Sequence, residues 1–170
     1  MTSQSGLATN NPKKTLTMKS YLGITSLYLV ESGYMFKNIL IPVDGSRYAE
    51  RAILIAADLS EKYGSKVTVI HVAVKKVYPL AETAVVIDTE KEGREILRKS
   101  EEQAKALHMS ADYMLVVGNP ADEILKKAIE IKADLIVMGS RGLSDIRAFF
   151  LGSVSKKISQ NAECPVLIVK

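Results

Sequence analysis

From Asn38 onward, two rhythms of apolar residues alternate along the chain. Asn38-Ile39-Leu40-Ile41-Pro42-Val43 is a short apolar run rich in β-branched residues, the signature of a strand buried on both faces. Pro42 removes a ladder donor, so the strand should stop there. Asp44-Gly45-Ser46 forms a turn with Ser46 as a helix N-cap. Ala49, Ala52, Ile53, Ala56 and Leu59 then recur at helical spacing, and Gly64 marks the helix end. Lys66 to Val74 predicts a second buried strand. Residues 75–88 read as a longer connection containing Pro79. From Thr89 to about Met109 the sequence is charged, with a thin apolar stripe at Ile96, Leu97, Ala104 and Leu107, as expected of an outer helix. Tyr113 to Val117 predicts a third strand. Asn119 and Pro120 cap and open a helix whose apolar face carries Ile124, Leu125, Ala128 and Ile129. Asp134 to Met138 predicts a fourth strand, Ser153 to Asn161 a last helix, and Pro165 to Val169 a last strand.

Strands that alternate with helices need crossover connections. The pattern therefore specifies an α/β protein with an open, doubly wound parallel sheet and helices on both faces. Such sheets bind ligands beyond the carboxyl ends of their strands, where the winding reverses.

Residues 1–34 break the pattern. They are rich in Ser, Thr and Asn, and their apolar stretch Tyr21–Val30 is only ten residues long. Three explanations stay open: a secretory signal, a disordered arm, or sequence upstream of a natural start at Met35. Residues 35–170 form the expected single domain. Lys+Arg 23 against Asp+Glu 19 leaves a net charge of +4 among 170 residues. Both signs are interspersed, which argues against nucleic acid as a partner. No apolar run reaches the length of a membrane span. One cysteine, Cys164, rules out an internal disulfide, and two distant histidines give no zinc pattern.

Candidate chemistry gathers after the fourth strand. Gly139 and Gly142 bracket a turn, and Gly152 precedes Ser153 at a helix start. Glycines let backbone N–H groups approach an anion, and a helix N-terminus adds unpaired donors and partial positive charge. Taken singly, these glycines are as well explained by turn shape. Arg141 and Arg147 lie in the same loop, within reach of a phosphate or simply solvated. His71 stands at a strand end, where a packed, hydrogen-bonded histidine is the better reading than a catalytic one. Cys164 reads as a small residue entering the last strand rather than a reactive thiol.

The spacing Gly139-x2-Gly142-x9-Gly152-Ser153 resembles the nucleotide-binding signature of the universal stress protein family. The resemblance extends to Asn38–Ser46, Val69-Ile70-His71-Val72, Gly118-Asn119-Pro120-Ala121, Val137-Met138-Gly139-Ser140 and Cys164–Val169. It implies a five-stranded Rossmann-like sheet of order 3-2-1-4-5, a cytoplasmic location, and a homodimer joined along the 165–169 edge. Because the glycine signature is complete, it also implies binding of ATP, or of AMP or ADP, in a stress-response or regulatory role with an unnamed protein partner. Carried over residue by residue, Pro42, Val43 and Val72 flank the adenine, with Val72 offering backbone groups. Asp44 meets the ribose or adenine side and is the place for an indirectly held Mg2+ or Mn2+. Met138 floors the pocket. Gly139, Gly142, Gly152, Ser153 and Val154 cradle the phosphates through backbone N–H, with Arg141 near them. Core packing is an equally good account of the Pro42, Val72 and Met138 side chains. A slow ATPase or phosphotransferase using the same pocket is the alternative function. It lacks a Walker lysine pattern and an identifiable base. Flavin or dinucleotide binding is weaker, since the first turn lacks G-x-G-x-x-G.

Overall fold

The computed structural model describes residues 14–21, 24–31, 36–79, 84–142 and 151–170. The chain divides into two compact units, Met1–Met35 and Phe36–Lys170. In the first, β1 (Lys14–Tyr21) and β2 (Ile24–Glu31) pair as an antiparallel hairpin, a regular element that the apolar pattern there did not suggest.

The second unit runs β3 (Asn38–Pro42), α1 (Arg47–Tyr63), β4 (Lys66–Ala73), β5 (Lys75–Pro79), β6 (Ala84–Asp88), α2 (Glu90–Ala106), β7 (Ala111–Val117), α3 (Pro120–Glu130), β8 (Leu135–Gly139), α4 (Ser153–Asn161) and β9 (Val166–Val169). Five of these strands form a parallel sheet of order β7-β4-β3-β8-β9. Counting only those five in chain order, this is 3-2-1-4-5, as expected. The winding reverses at β3, which lies between β4 and β8.

Each face of the sheet buries its own core. Ile39, Ile41, Val67, Val69 and Val137 pack against Ala49, Ala52, Ile53 and Ala56 of α1 and Ala104 of α2. Leu40, Ile70, Val72, Ile136 and Met138 pack against Ala121, Ile124 and Ala128 of α3 and Ile158 of α4. Burial on both faces explains why β3, β4 and β8 read as unbroken apolar runs.

The capping residues behave as their chemistry dictates. The Ser46 hydroxyl accepts from Ala49 N at 3.2 Å, and Gly64 ends α1 with φ 64°. Asn119 Oδ1 accepts from Ala121 N at 3.2 Å, with Pro120 opening α3.

One expectation gains detail and one needs correction. Within the longer connection expected over 75–88, Lys75–Pro79 and Ala84–Asp88 pair as antiparallel strands β5 and β6. The base of this hairpin is tied by Thr89 N donating to the Val74 carbonyl at 3.2 Å and Val74 N donating to Thr89 Oγ1 at 2.8 Å. Pro79 falls at the last residue of β5, where a missing N–H is tolerated. The buried face of α3 is Ala121, Ile124 and Ala128, with Leu125 partly buried; Ile129 is 59% exposed. One residue beyond Ala128 is a rotation of about 100°, which carries Ile129 off the core-facing stripe.

Candidate functional site

Where β3 ends and the winding reverses, the body holds a cavity of about 610 Å³. That lies within the range of about 300–1,000 Å³ usual for small-molecule sites. Its walls include Pro42, Val43, Asp44, Val72, Met138, Gly139, Arg141, Gly142, Gly152, Ser153 and Val154. Every candidate binding residue named from the sequence thus stands around one space. Arg147 lies outside the described residues.

The apolar wall has an open backbone edge. Val43 N donates to the Ile70 carbonyl at 2.9 Å, so the Ile70 backbone faces β3. Alternate residues of a strand direct their backbone groups to the same neighbour. Val72 therefore also presents its N–H and C=O toward β3, but β3 has already ended at Pro42. On its other side, β4 continues its pairing with β7 through Ala73. The side chains of Val72 and Met138 are both buried, so they serve the core as well as the cavity.

Asp44 is held by the turn it begins. Its Oδ1 accepts from Ser46 N at 3.0 Å. Its Oδ2 would lie 2.5 Å from a Cβ added to Gly142, so a side chain there would have to push this carboxylate aside. Ser46 Oγ also donates to the Arg141 carbonyl at 3.3 Å, tying α1 to the same loop. Among the described residues there is no cluster of three or more His, Cys, Asp or Glu able to hold a metal.

The N-terminus of α4 also lines the cavity, through Gly152, Ser153, Val154 and Ser155. Its N-cap is Gly152, which offers no side-chain acceptor, and its first turn has no acidic residue. By contrast, α1 and α3 have side-chain caps, and α1, α2 and α3 each carry acids in the first turn. Helix geometry leaves the N–H groups of Ser153, Val154 and Ser155 without intrahelical acceptors. They and the positive end of the helix dipole favour an anion there.

The glycines divide their labour differently from the sequence reading. Gly152 N is already donated to the Ser140 carbonyl at 2.9 Å. That N–H is therefore committed within the fold, unlike those of Ser153, Val154 and Ser155. A Cβ on Gly139 would lie 2.7 Å from Tyr48 Cβ and 2.9 Å from the Tyr48 carbonyl carbon. Gly139 is therefore required for the close approach of α1 to β8, while its carbonyl accepts from Ser155 Oγ at 2.9 Å.

His71 is a structural wall residue, in line with the reading of a packed strand-end histidine. Its Nδ1 lies 2.8 Å from the Val43 carbonyl, which can only accept, so Nδ1 carries the proton. Its ring packs on Gly93 of α2. Cys164 is half-buried ahead of β9, and burial pushes its thiol pKa up, which disfavours the reactive thiolate.

The sequence reading missed Val74, Thr89, Glu92, Ile96 and Pro120 in the cavity wall. Thr89 and Val74 enter as the tied base of the β5–β6 hairpin, a pairing that no local motif announces. Ile96 was visible as part of the α2 stripe, but its position over Gly45 is tertiary.

The comparisons with known proteins agree with this architecture. Residues 35–170 match the model of the universal stress protein family. The universal stress protein YxiE of Bacillus subtilis is 34% identical over 148 residues, covering 80% of this chain and all of that protein. A universal stress protein crystallised in complex with cAMP has a TM-score of 0.63 at 27% identity, covering 80% of this chain and 98% of that one. An Archaeoglobus fulgidus universal stress protein in complex with dAMP has a TM-score of 0.62 at 26% identity, covering 80% of this chain and 99% of that one. With a family match across the whole second unit and a curated relative spanned end to end, this chain belongs to the universal stress protein family.

Proposed function

We propose that this chain binds an adenine nucleotide in the cavity at the β3–β8 switch point and acts as a regulatory stress-response protein. The observation that carries the reading is the pairing of two unlike sets of groups in one cavity. One set offers apolar walls with the open Val72 backbone, suited to the flat face and polar edge of a base. The other offers the acid-free, side-chain-free N-terminus of α4, suited to phosphate. Asp44 stands in the same wall, as a ribose hydroxyl acceptor requires. Relatives of similar fold solved with cAMP and dAMP support the choice of adenine.

ATP is the proposed ligand, with AMP and ADP as its hydrolysis-related forms. A divalent ion such as Mg2+ or Mn2+ would have the Asp44 carboxylate as a protein ligand and would take other oxygens from phosphates and water. The site favours binding over catalysis: His71 is committed through Nδ1 to Val43, and Asp44 through Oδ1 to Ser46. The protein is proposed to work in the cytoplasm as a homodimer. On one side β9 pairs with β8, and Leu167 is 38% exposed. Pairing the outer edge of residues 165–169 with a second copy about a two-fold axis would satisfy its backbone groups. Denaturing freshly purified full-length protein in methanol and identifying released small molecules by mass spectrometry tests the nucleotide reading. An adenine nucleotide at near-stoichiometric yield is expected. A different released ligand, or a protein that neither releases nor in titration binds any adenine nucleotide, would overturn it.

A further inference from the structure

The two edges of the five-stranded sheet are unequal. Gly118 N donates to the Ala73 carbonyl at 3.0 Å, so the Gly118 backbone faces β4. Backbone groups alternate along a strand, so Met114 and Val116 face β4 as well. Ala111, Tyr113, Leu115 and Val117 therefore turn their N–H and C=O groups outward, where they meet no partner among the described residues. On the other edge, the Pro165 and Val169 carbonyls accept from Ile136 N at 3.0 Å and Ser140 N at 2.7 Å. Within β9 only Val166 and Ile168 are left facing outward. β7 is thus the longer open edge, and its sequence is apolar except for Asp112, which is paired with Lys66 of β4 at 3.4 Å. Proteins usually cover, charge or pair such an edge.

The helix above this edge carries a matching pattern. α2 seats Gly93, Ser100 and Ala104 in the core. On one flank its Gln103 reaches α1, donating to the Glu50 carbonyl at 2.8 Å. Glu90, Arg94, Glu101 and Lys105 recur at helical spacing along the other flank. The Glu101 charge acts on the Tyr113 phenol, which puts this flank beside the open edge of β7. A Cβ on Gly93 would lie 2.8 Å from Leu115 Cδ1, so the row is centred near Met114. Its signs run minus, plus, minus, plus. An antiparallel second copy of the row meets the opposite charge at every position.

A two-fold axis at Met114 satisfies strand and helix together. It sets Tyr113 opposite Leu115, and Ala111 opposite Val117, of a second copy, and each such outward-facing pair exchanges two hydrogen bonds. It also sets Arg94 opposite the second copy's Glu101. Arg94 is held by Glu90 at 3.1 Å within its own helix, but its side chain is 69% exposed and has further N–H donors. We propose that the β7 edge and the charged flank of α2 form a second two-fold interface between copies of this chain, separate from the β9 edge. Beside β9 stand exposed apolar side chains: Leu167, and Leu54 and Ile55 of α1, whose Arg51 reaches the Lys170 carbonyl at 2.9 Å. Beside β7 stand exposed ion pairs, which contribute little each and are screened by salt. The β7 contact is therefore the weaker one, joining β9-paired dimers into tetramers at high protein concentration. It does not depend on what the cavity binds.

Sedimentation equilibrium of the full-length chain, from dilute to concentrated and in low and high salt, tests it. The expected mass is that of a dimer when dilute and rises toward a tetramer when concentrated, with salt suppressing the rise. Arg94→Glu sets like charges against each other twice per interface and should weaken the concentrated step about tenfold. Combining Arg94→Glu with Glu101→Arg exchanges the two signs and should restore it. That double variant breaks the Arg94–Glu90 and Lys105–Glu101 pairs inside the helix, so its recovery reports pairing between copies. Val117→Pro removes one outward N–H and no bond to β4, and should weaken the same step. In Ile168→Pro the β9 edge is blocked, and the β7 step should carry monomers to dimers at high concentration. This separates failure at β9 from failure at β7. Circular dichroism checks that each variant folds. A parent or Ile168→Pro protein without a concentrated step, an Arg94→Glu variant that associates as the parent does, or a charge-exchanged variant that fails to recover would overturn the second interface.

Discussion

Replacing Gly93 by alanine should destabilise the protein far more than its place in a helix suggests. Gly93 lies in the first turn of α2, where alanine is ordinarily the better helix former by up to about 1 kcal/mol. Here the added Cβ would sit 2.6 Å from His71 Cδ2 and 2.8 Å from Leu115 Cδ1. His71 cannot easily give way, because it is buried and its Nδ1–H is committed to the Val43 carbonyl at 2.8 Å. Overpacking of this kind costs about 1–3 kcal/mol. Because His71 is held in place, the upper part of that range applies, about 2–3 kcal/mol, and subtracting the helix gain leaves a net loss of about 1–2 kcal/mol. For a domain of this size that is a fall of about 4–8 °C in thermal midpoint. Gly118→Ala is the matched control. Its Cβ would meet Glu123 Cγ at a similar 2.7 Å, but that side chain is half-exposed and flexible. The control should stay within about 0.5 kcal/mol of the parent, the usual range for a surface change. Thermal and urea unfolding followed by circular dichroism measures both. Equal stabilities for the two variants, or a Gly93→Ala protein as stable as the parent, would refute the account of how α2 seats on β4 and β7.

Three further outcomes follow from the same geometry. Gly152→Val should reduce ATP affinity about tenfold or more while adenosine affinity changes little, read by titration calorimetry. The residue has φ −60° and ψ 152°, which valine adopts without strain, so the loss would come from the side chain at the phosphate seat. Ile168→Pro should shift the protein from dimer toward monomer in analytical ultracentrifugation while circular dichroism shows it still folded; a folded variant that stays dimeric would place the interface elsewhere. The Cys164 thiol should react with iodoacetamide at pH 8 more slowly than free cysteine. Because burial raises its folded pKa above the unfolded one, its contribution to stability is present at neutral pH and lost as pH rises through the folded value.

What the sequence revealed and what it hid have physical reasons. Runs such as Asn38–Pro42 are buried on both faces, so their composition alone marks them as central strands. The Ser46 and Asn119 side chains cap N–H groups two or three residues on, and Gly64 acts through its own φ, so their roles are local and legible. The β5–β6 hairpin was missed because Pro79 signals a break whether it ends a strand or interrupts a loop. The placement of Ile129 was missed because an apolar residue beside a buried stripe reads as part of it, although it stands about 100° around the helix from Ala128. The glycines of the loop were visible as a pattern, but what each missing Cβ faces is a tertiary fact. Gly139 faces α1, and Gly142 faces Asp44.

The central claim is that the carboxyl-end cavity receives an adenine nucleotide with its phosphates at the start of α4. Backbone amide chemical-shift mapping of the 15N-labelled full-length chain during an ATP titration tests it most directly. The account predicts saturable shifts concentrated at Asp44, Val72, Gly142, Ser153 and Val154, with the amides of α3's exposed face near Ile129 unmoved. Shifts absent from these residues at saturating ATP, or clustered elsewhere on the sheet, would contradict it.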